Sequence, residues 1–292
     1  MKNYRSSCLY INRPPIVAIM GHVDHGKTSI MDALRSINTI DYEVGKITQY
    51  MNAYKVFFIN NKIITLIDTP GHEAFYSMRV KGVNITDIVI LVISADDGIK
   101  DQTIEIIKYT KLMKIPIIIA INKIDKIDNQ VNQIKNELSK YGLISKDMGG
   151  NIEIILLSVI KKKGLENLRK SILIYSDYLK LNVNYNSLAS GVILDSKIHK
   201  SKGIISFFLI KEGILKVSDI VVIKNKYFKV RKLIYNENKS LHFATPSTPV
   251  EVMGLNYLPS SGDNFFVVED IKIAKKCIES NSNNELLHKK KK

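Results

Sequence analysis

A chain of 292 residues, 45% of them apolar, is long enough to bury one large core or two ordinary ones. No apolar run approaches the roughly 18 residues of a membrane span. The polar start, Met1 to Arg13, lacks the apolar centre of a secretory signal, and the only cysteines, Cys8 and Cys277, have no metal-ligand spacing; a cytoplasmic protein without membrane contact or disulfide framework is expected. The formal charge of +15 invites RNA, although a chain rich in Ile, Lys, Asn and Tyr carries the mark of A/T-rich codons, which raise the lysine count on their own.

Residues 1–13 read as an N-terminal tail. From 14 to 180 apolar runs alternate with amphipathic stretches, the pattern of an α/β domain whose mostly parallel sheet is covered on both faces. Strands are expected at Ile16 to Met20, Ala53 to Ile59, Ile63 to Ile67, Ile88 to Ser94, Ile115 to Ile121 and Ile152 to Leu157. Helices are expected at Lys27 to Ser36, Ala74 to Gly82, Gln102 to Lys111, Val131 to Lys140 and Leu165 to Leu179. Asn60-Asn61 suits a tight hairpin turn, which makes one edge strand antiparallel. The aperiodic stretch from Ile37 to Asn52 is long for a loop inside a compact domain, and such loops are usually functional. Asn182 to Asn186 reads as part of a linker over 181–187. Beyond it, short alternating runs punctuated by Gly, Asp, Pro and Asn predict a small all-β barrel over 188–279, with Tyr227 to Ile234 as one strand. The final 280–292, rich in Asn, Ser and Lys, is expected to be a disordered tail.

Three loops at strand ends carry the chemistry. Gly21-His22-Val23-Asp24-His25-Gly26-Lys27-Thr28 fits the phosphate-binding pattern of Gly, four residues, then Gly-Lys-Thr. Its glycines allow a tight turn whose N–H groups face an anion at a helix N-terminus. Lys27 would reach the β and γ phosphates, and the Thr28 hydroxyl would ligate magnesium. Asp68-Thr69-Pro70-Gly71-His72 follows the strand ending at Ile67, where an Asp can hold magnesium through water and a Gly can offer its N–H to the γ phosphate. Asn122-Lys123-Ile124-Asp125 ends another strand. A carboxylate there accepts from guanine N1–H and N2–H, an edge on which adenine has no such donor pair, while Asn122 can meet N7 and O6 and the Lys123 stem can pack on the base. Ser158-Val159 stands where a backbone N–H would contact guanine O6. The sequence therefore selects GTP or GDP with Mg2+.

Other groups have plainer readings. His22 and His25 are expected to point away from a loop whose backbone binds phosphate, without forming a metal site. Asp96 and Asp97 are expected to be N-cap and dipole partners of the next helix. Arg231 and Lys232, neighbours on one strand, would face opposite sides.

These stretches, with Gly45-Lys46-Ile47-Thr48-Gln49-Tyr50, resemble the translational GTPases, specifically the bacterial-type initiation factor two, over about residues 12 to 279. The resemblance implies a catalytic set of His72, Lys27 and Thr48, with His72 orienting the attacking water and Val23 and Ile47 flanking it as an apolar gate. It implies that Thr48 joins Thr28 and Asp68 at magnesium. It also implies a monomer that docks on the small ribosomal subunit and its rRNA and is switched on by the large subunit. Lys46 and Tyr50 replace a glycine and a histidine of the family pattern, and Val159 replaces an alanine. Initiator tRNA is bound, in that family, by a further C-terminal region; nothing after about Ile278 could form it, so a truncated form that binds this tRNA only when the region is supplied is expected. The rival readings are a guanine-nucleotide switch that no longer hydrolyses, and an ATP-dependent P-loop enzyme, which Asn122 to Asp125 opposes.

Overall fold

The computed structural model describes residues 10–35, 52–58, 62–69, 82–126, 130–235 and 239–289, with side chains through 280. They divide into two compact units, one spanning Pro14–Lys180 and the other formed by the chain on either side of it.

In the first unit six strands line up as β3-β4-β2-β5-β6-β7, comprising β2 (Ile16–Gly21), β3 (Asn52–Phe57), β4 (Ile63–Asp68), β5 (Ile88–Ser94), β6 (Ile117–Asn122) and β7 (Glu153–Leu156). Only β3 runs antiparallel, as an edge strand on β4; the turn residues Asn60 and Asn61 lie outside the described residues, as does the helix expected at Ala74 to Gly82 apart from Gly82 itself, which is helical. Every residue of β2, β5 and β6 is buried, which is why these strands are continuous apolar runs with no alternation. Among the described residues the longer helices are α1 (Lys27–Arg35), α2 (Asp101–Leu112), α3 (Val131–Lys140) and α4 (Leu165–Leu179), beside a helical turn at 82–85 and a 3-10 turn at Lys146–Met148. Ile30, Met31 and Leu34 of α1 and Leu168 and Ile172 of α4 join Val17, Ile19, Ile90 and Ile118 of the sheet in one core. β2 pairs with β4 on one side and β5 on the other. The chain thus leaves β2 in one direction and returns in the other, and the crevice at such a switch point, outside the C-terminal strand ends, is where open α/β sheets bind ligands.

In the second unit β1 (Tyr10–Asn12) pairs antiparallel with β8 (Asn182–Asn184), and the Arg13 N–H donates to Leu181 O at 2.9 Å. Residues expected as tail and linker therefore form a ladder. Three-residue strands with polar side chains show no periodicity, and Asn184, whose Oδ1 accepts from the Asn186 N–H at 2.9 Å, gives the signature of a turn.

An eight-stranded antiparallel sheet follows, ordered β13-β12-β18-β9-β10-β17-β14-β15. Its strands are β9 (Ser190–His199), β10 (Gly203–Glu212), β12 (Ile220–Ile223), β13 (Lys226–Lys229), β14 (Lys232–Tyr235), β15 (Lys239–Leu241), β17 (Pro249–Met253) and β18 (Asn264–Val268), while β11 (Leu215–Lys216) and β16 (Phe243–Ala244) pair separately. The Phe228 ring of β13 meets Phe208 of β10 edge-on at 6.3 Å. In a flat sheet those strands, four places apart, would be roughly 19 Å from each other, so the sheet curls around Phe208, Phe228 and Phe265 as a barrel does. The run Tyr227 to Ile234, expected as one strand, is two. At Arg231 the chain leaves β12 as partner and donates to Met253 O of β17 at 2.8 Å, and Gly254 (φ +124) allows the crossing because a Cβ there would stand 2.4 Å from Lys229 O. Arg231 precedes β14, and it and Lys232 are both exposed.

The segment expected to be a disordered tail begins inside α5 (Ile271–Lys289). Asp270 caps it, its Oδ1 accepting from the Ile273 N–H at 2.7 Å. Ala274 is buried with Val222 and Val268, and Ile278 packs beside them. Once those first turns are fixed, each later residue adds a hydrogen bond without a new nucleation cost, so the backbone continues as helix to Lys289.

Candidate functional site

β2 ends in Gly21 and α1 starts at Lys27, and the loop between them folds at the switch point. Gly21 has φ +152, and a Cβ on it would lie 2.3 Å from Val92 O. Gly26 has φ +87, with a hypothetical Cβ 2.4 Å from Asn122 Nδ2. Both positions admit glycine alone. Val23 and Asp24 form the turn, with Asp24 exposed at φ 61. Lys27 is 7% exposed and its Nζ donates to His22 O at 2.6 Å, keeping the ammonium folded over its own loop. The first turn of α1, which holds Thr28, carries no acidic residue, so nothing of like charge opposes an anion at that helix end.

The residues that follow β6 are joined to this loop. Asn122 Nδ2 donates to His25 O at 3.1 Å, so its nitrogen ties two loops together. Its Oδ1 is buried with no hydrogen-bond partner among the described residues, a state that a bound donor relieves. Asp125 accepts a short hydrogen bond from Ser158 Oγ, and that bond, first among several causes, holds the Asp125 carboxyl below the usual carboxylate range. It is therefore ionised and presents acceptors only, the state that guanine N1–H and N2–H require. Ile124 N–H donates to Leu157 O at 3.2 Å, lacing the loops after β6 and β7. Lys123, left-handed at φ 60, and Lys126 both reach Asp96, at 3.7 and 2.8 Å. The hydrogen bonds from Lys126 and then Ser94 pull Asp96 down to about 2. Val159 is half-buried and packs against the sheet core, which accommodates its extra bulk.

On the strand next to β2, Asp68 closes β4 in register with Ile19 and is fully buried, while Thr69 Oγ1 donates to Ile19 O at 3.1 Å. A threonine hydroxyl on α1 and a carboxylate at the end of the strand next to β2 are hard oxygen donors, the set that suits magnesium. Thr48, Pro70, Gly71 and His72 lie outside the described residues, as do Lys46, Ile47 and Tyr50.

The two histidines do more than point away. His25 is fully buried, with Nδ1 3.2 Å from Val92 O and Nε2 3.1 Å from Asp97 Oδ2. Burial lowers its pKa, against the raising effect of both acceptors. His22 Nδ1 makes a short hydrogen bond with Gln102 Oε1, and the two rings meet edge-on at 5.1 Å. Among the described residues no cluster of His, Cys, Asp and Glu could hold a metal. Asp97 is not the cap of α2; that position is Lys100, whose Nζ pairs with Asp97 at 2.6 Å. Sequence reasoning missed Asp97 and Gln102. The signal lay in topology, since both follow β5, which is hydrogen-bonded to the strand that launches the phosphate loop.

Comparison with known proteins agrees with this geometry. Residues 37–178 match the elongation factor Tu GTP binding domain and residues 188–268 match elongation factor G domain 2. Over 267 residues the chain is 45% identical to translation initiation factor IF-2 of Orientia tsutsugamushi and 47% identical to that of Rickettsia prowazekii, in each case 91% of this chain. It spans 32% of those relatives, about a third of their length. The crystal structure of GDP-bound aIF5B from Aeropyrum pernix superposes with a TM-score of 0.76 at 26% identity, covering 94% of this chain and 57% of that one. The elongation factor SelB of Methanococcus maripaludis, in complex with a GTP analogue, shares the fold with a TM-score of 0.72 at 24% identity, over 89% of this chain and 56% of that one. Among the described residues no helix is long and apolar enough to cross a membrane. With a phosphate loop, a second loop laced to it and a following β domain, this chain has the two-domain make-up of the translational GTPases and is similar in sequence to translation initiation factor IF-2.

Proposed function

We propose that the chain binds GTP across its phosphate and guanine loops and hydrolyses it to GDP and phosphate in translation initiation. The observation that carries most weight is the join between recognition elements: Asn122 holds the His25 main chain while Asp125, three residues on, is kept ionised by Ser158. Lys27 can exchange the His22 carbonyl for β and γ phosphate oxygens. Thr28, Asp68 and Thr48 would hold magnesium, which neutralises charge on those phosphates. His72 orients the attacking water, flanked by Val23 and Ile47, and positioning with electrostatics supplies most of the acceleration. The names of the relatives support a setting in translation initiation, and the chain acts there on the ribosome as a cytoplasmic monomer. There the β domain docks on the small subunit, the large subunit triggers turnover, and initiator tRNA is engaged only with a further C-terminal region.

The test is nucleotide competition. GTP and GDP should displace a fluorescent guanine nucleotide where ATP does not. Asp125→Asn, which turns one acceptor into a donor, should weaken GTP by roughly a hundredfold or more while strengthening xanthosine triphosphate. Parental GTP affinity in that variant would remove Asp125 from the site.

A further inference from the structure

The loop between Gly21 and Lys27 must present its N–H groups to an anion, yet much of what holds it comes from side chains reaching it from elsewhere. Asn122 holds the His25 carbonyl. Apart from the contact of His25 Nδ1 with Val92 O, two side-chain ties run to one short segment, 97–102, which leads into α2. Asp97 bonds the buried His25 ring and Gln102 bonds His22, so two of the four residues between the loop glycines are gripped from the same place.

That place is itself fixed. Gly98 N–H donates to Ser94 O at 2.9 Å, folding the chain back at the end of β5, and the Lys100 N–H meets Thr103 Oγ1 at 3.4 Å at the start of α2. A carboxylate so near an anion site would ordinarily repel the ligand. Here Lys100 Nζ, 2.6 Å from Asp97 Oδ1, offsets its charge, so Asp97 orients the ring at little electrostatic cost to a phosphate.

Resting on the nucleotide assignment above, we infer that Asp97 and Gln102 are positioning residues for guanine nucleotide, acting through His25 and His22 to keep the phosphate loop in its anion-accepting shape. They set nucleotide affinity chiefly through release, because a loop that is free to relax loses the ligand sooner without slowing its encounter. Each tie can be cut without disturbing the sheet: Asp97 is 40% exposed at its side chain and Gln102 is half-buried on the first turn of α2.

The experiment measures release of a fluorescent GDP analogue from the full chain by stopped flow, alongside thermal unfolding without nucleotide. Asp97→Ala and Gln102→Ala should each speed release by about fivefold to tenfold, and the double variant by more. Unfolding temperature should stay near the parental value. Gln102→Glu, which restores an acceptor for His22, should recover most of the parental rate, a rescue that a merely structural role would not give; Lys108→Ala, exposed on the same helix, should leave release unchanged. Parental release in the double variant would overturn the inference alone. Failure of the parental chain to retain any guanine nucleotide would overturn both it and the function it rests on.

Discussion

The two units bury apolar surface in opposite ways, and the difference decides where function can sit. In 14–180 the sheet is covered on both faces, and β5 is seven buried residues in a row. Parallel strands end together, so the phosphate loop after β2, Asp68 at the end of β4 and Asn122 at the end of β6 gather at one edge. In the β unit the strands are antiparallel and curl around one interior, with Phe208, Phe265 and Val252 inside. Successive strand ends there alternate between the two rims, so no single edge collects loops. A motif-bearing unit and a motif-free unit are thus a consequence of topology.

The sharpest way to break the comparison is to empty one core. Phe208→Ala removes a fully buried ring stacked on Phe265 at 4.5 Å and should cost about 3–5 kcal/mol. In a denaturant titration followed by GDP fluorescence and by circular dichroism, the β unit should unfold earlier while GDP affinity stays within about twofold. A parallel collapse of GDP binding would show that the units are energetically one.

Next in size is Gly26→Ala, which tests the strand-edge site itself. The added methyl would meet Asn122 Nδ2 at 2.4 Å on a backbone at φ +87. Strain of about 1–3 kcal/mol and the lost tie should weaken GDP roughly tenfold to a hundredfold, read by equilibrium titration, with the β unit unaffected. Parental affinity would mean that the loop relaxes freely and that the Asn122 tie is incidental.

How much of this was legible follows the same division. The positions of Gly21 to Thr28 and Asn122 to Asp125 at strand ends could be read directly, because each follows from a local pattern of apolar run, glycine and spacing. Asp97 and Gln102 could not: their partners, His25 and His22, are 72 and 80 positions away, and an acid before a helix reads locally as a cap. In the β unit the alternation gave strands, but the split of Tyr227 to Ile234 depends on Arg231 bonding to Met253, a long-range fact. β1 and β8, too short and polar for periodicity, and the helical course of 280–289, set by anchors at Ala274 and Ile278, were hidden for similar reasons.

That last point yields a smaller prediction. Ala274 is fully buried where α5 meets Val222 and Val268. Ala274→Gly removes the methyl that fills the contact and lowers helix propensity by about 1 kcal/mol. Amide exchange over 271–280 should accelerate by about fivefold to tenfold, while exchange in β9 and β10 holds. Unchanged protection would show that α5 is held by something other than this anchor.

The smallest effect concerns the charges beneath the guanine loop. Asp96, pulled from 3.8 to about 2 by the hydrogen bonds from Lys126 and Ser94, is favoured in its ionised form by folding. Its contribution is therefore fully present above pH 3.8, where the unfolded carboxyl is also ionised, and is lost as pH falls toward 2. Lys126 is 51% exposed at its side chain, so solvent screens the pair and the stabilisation is held to about 1 kcal/mol or less. Asp96→Asn should thus lower stability slightly at pH 7 and flatten the decline between about pH 4 and 2, measured by urea unfolding across that range and compared with the parental chain. Because Lys123 also faces Asp96 at 3.7 Å, the same variant frees the lysine whose stem is assigned to the base, and GDP affinity should fall by no more than about threefold. A steeper acid decline than the parent's would reverse the sign argued here and show that Asp96 is better stabilised protonated than ionised.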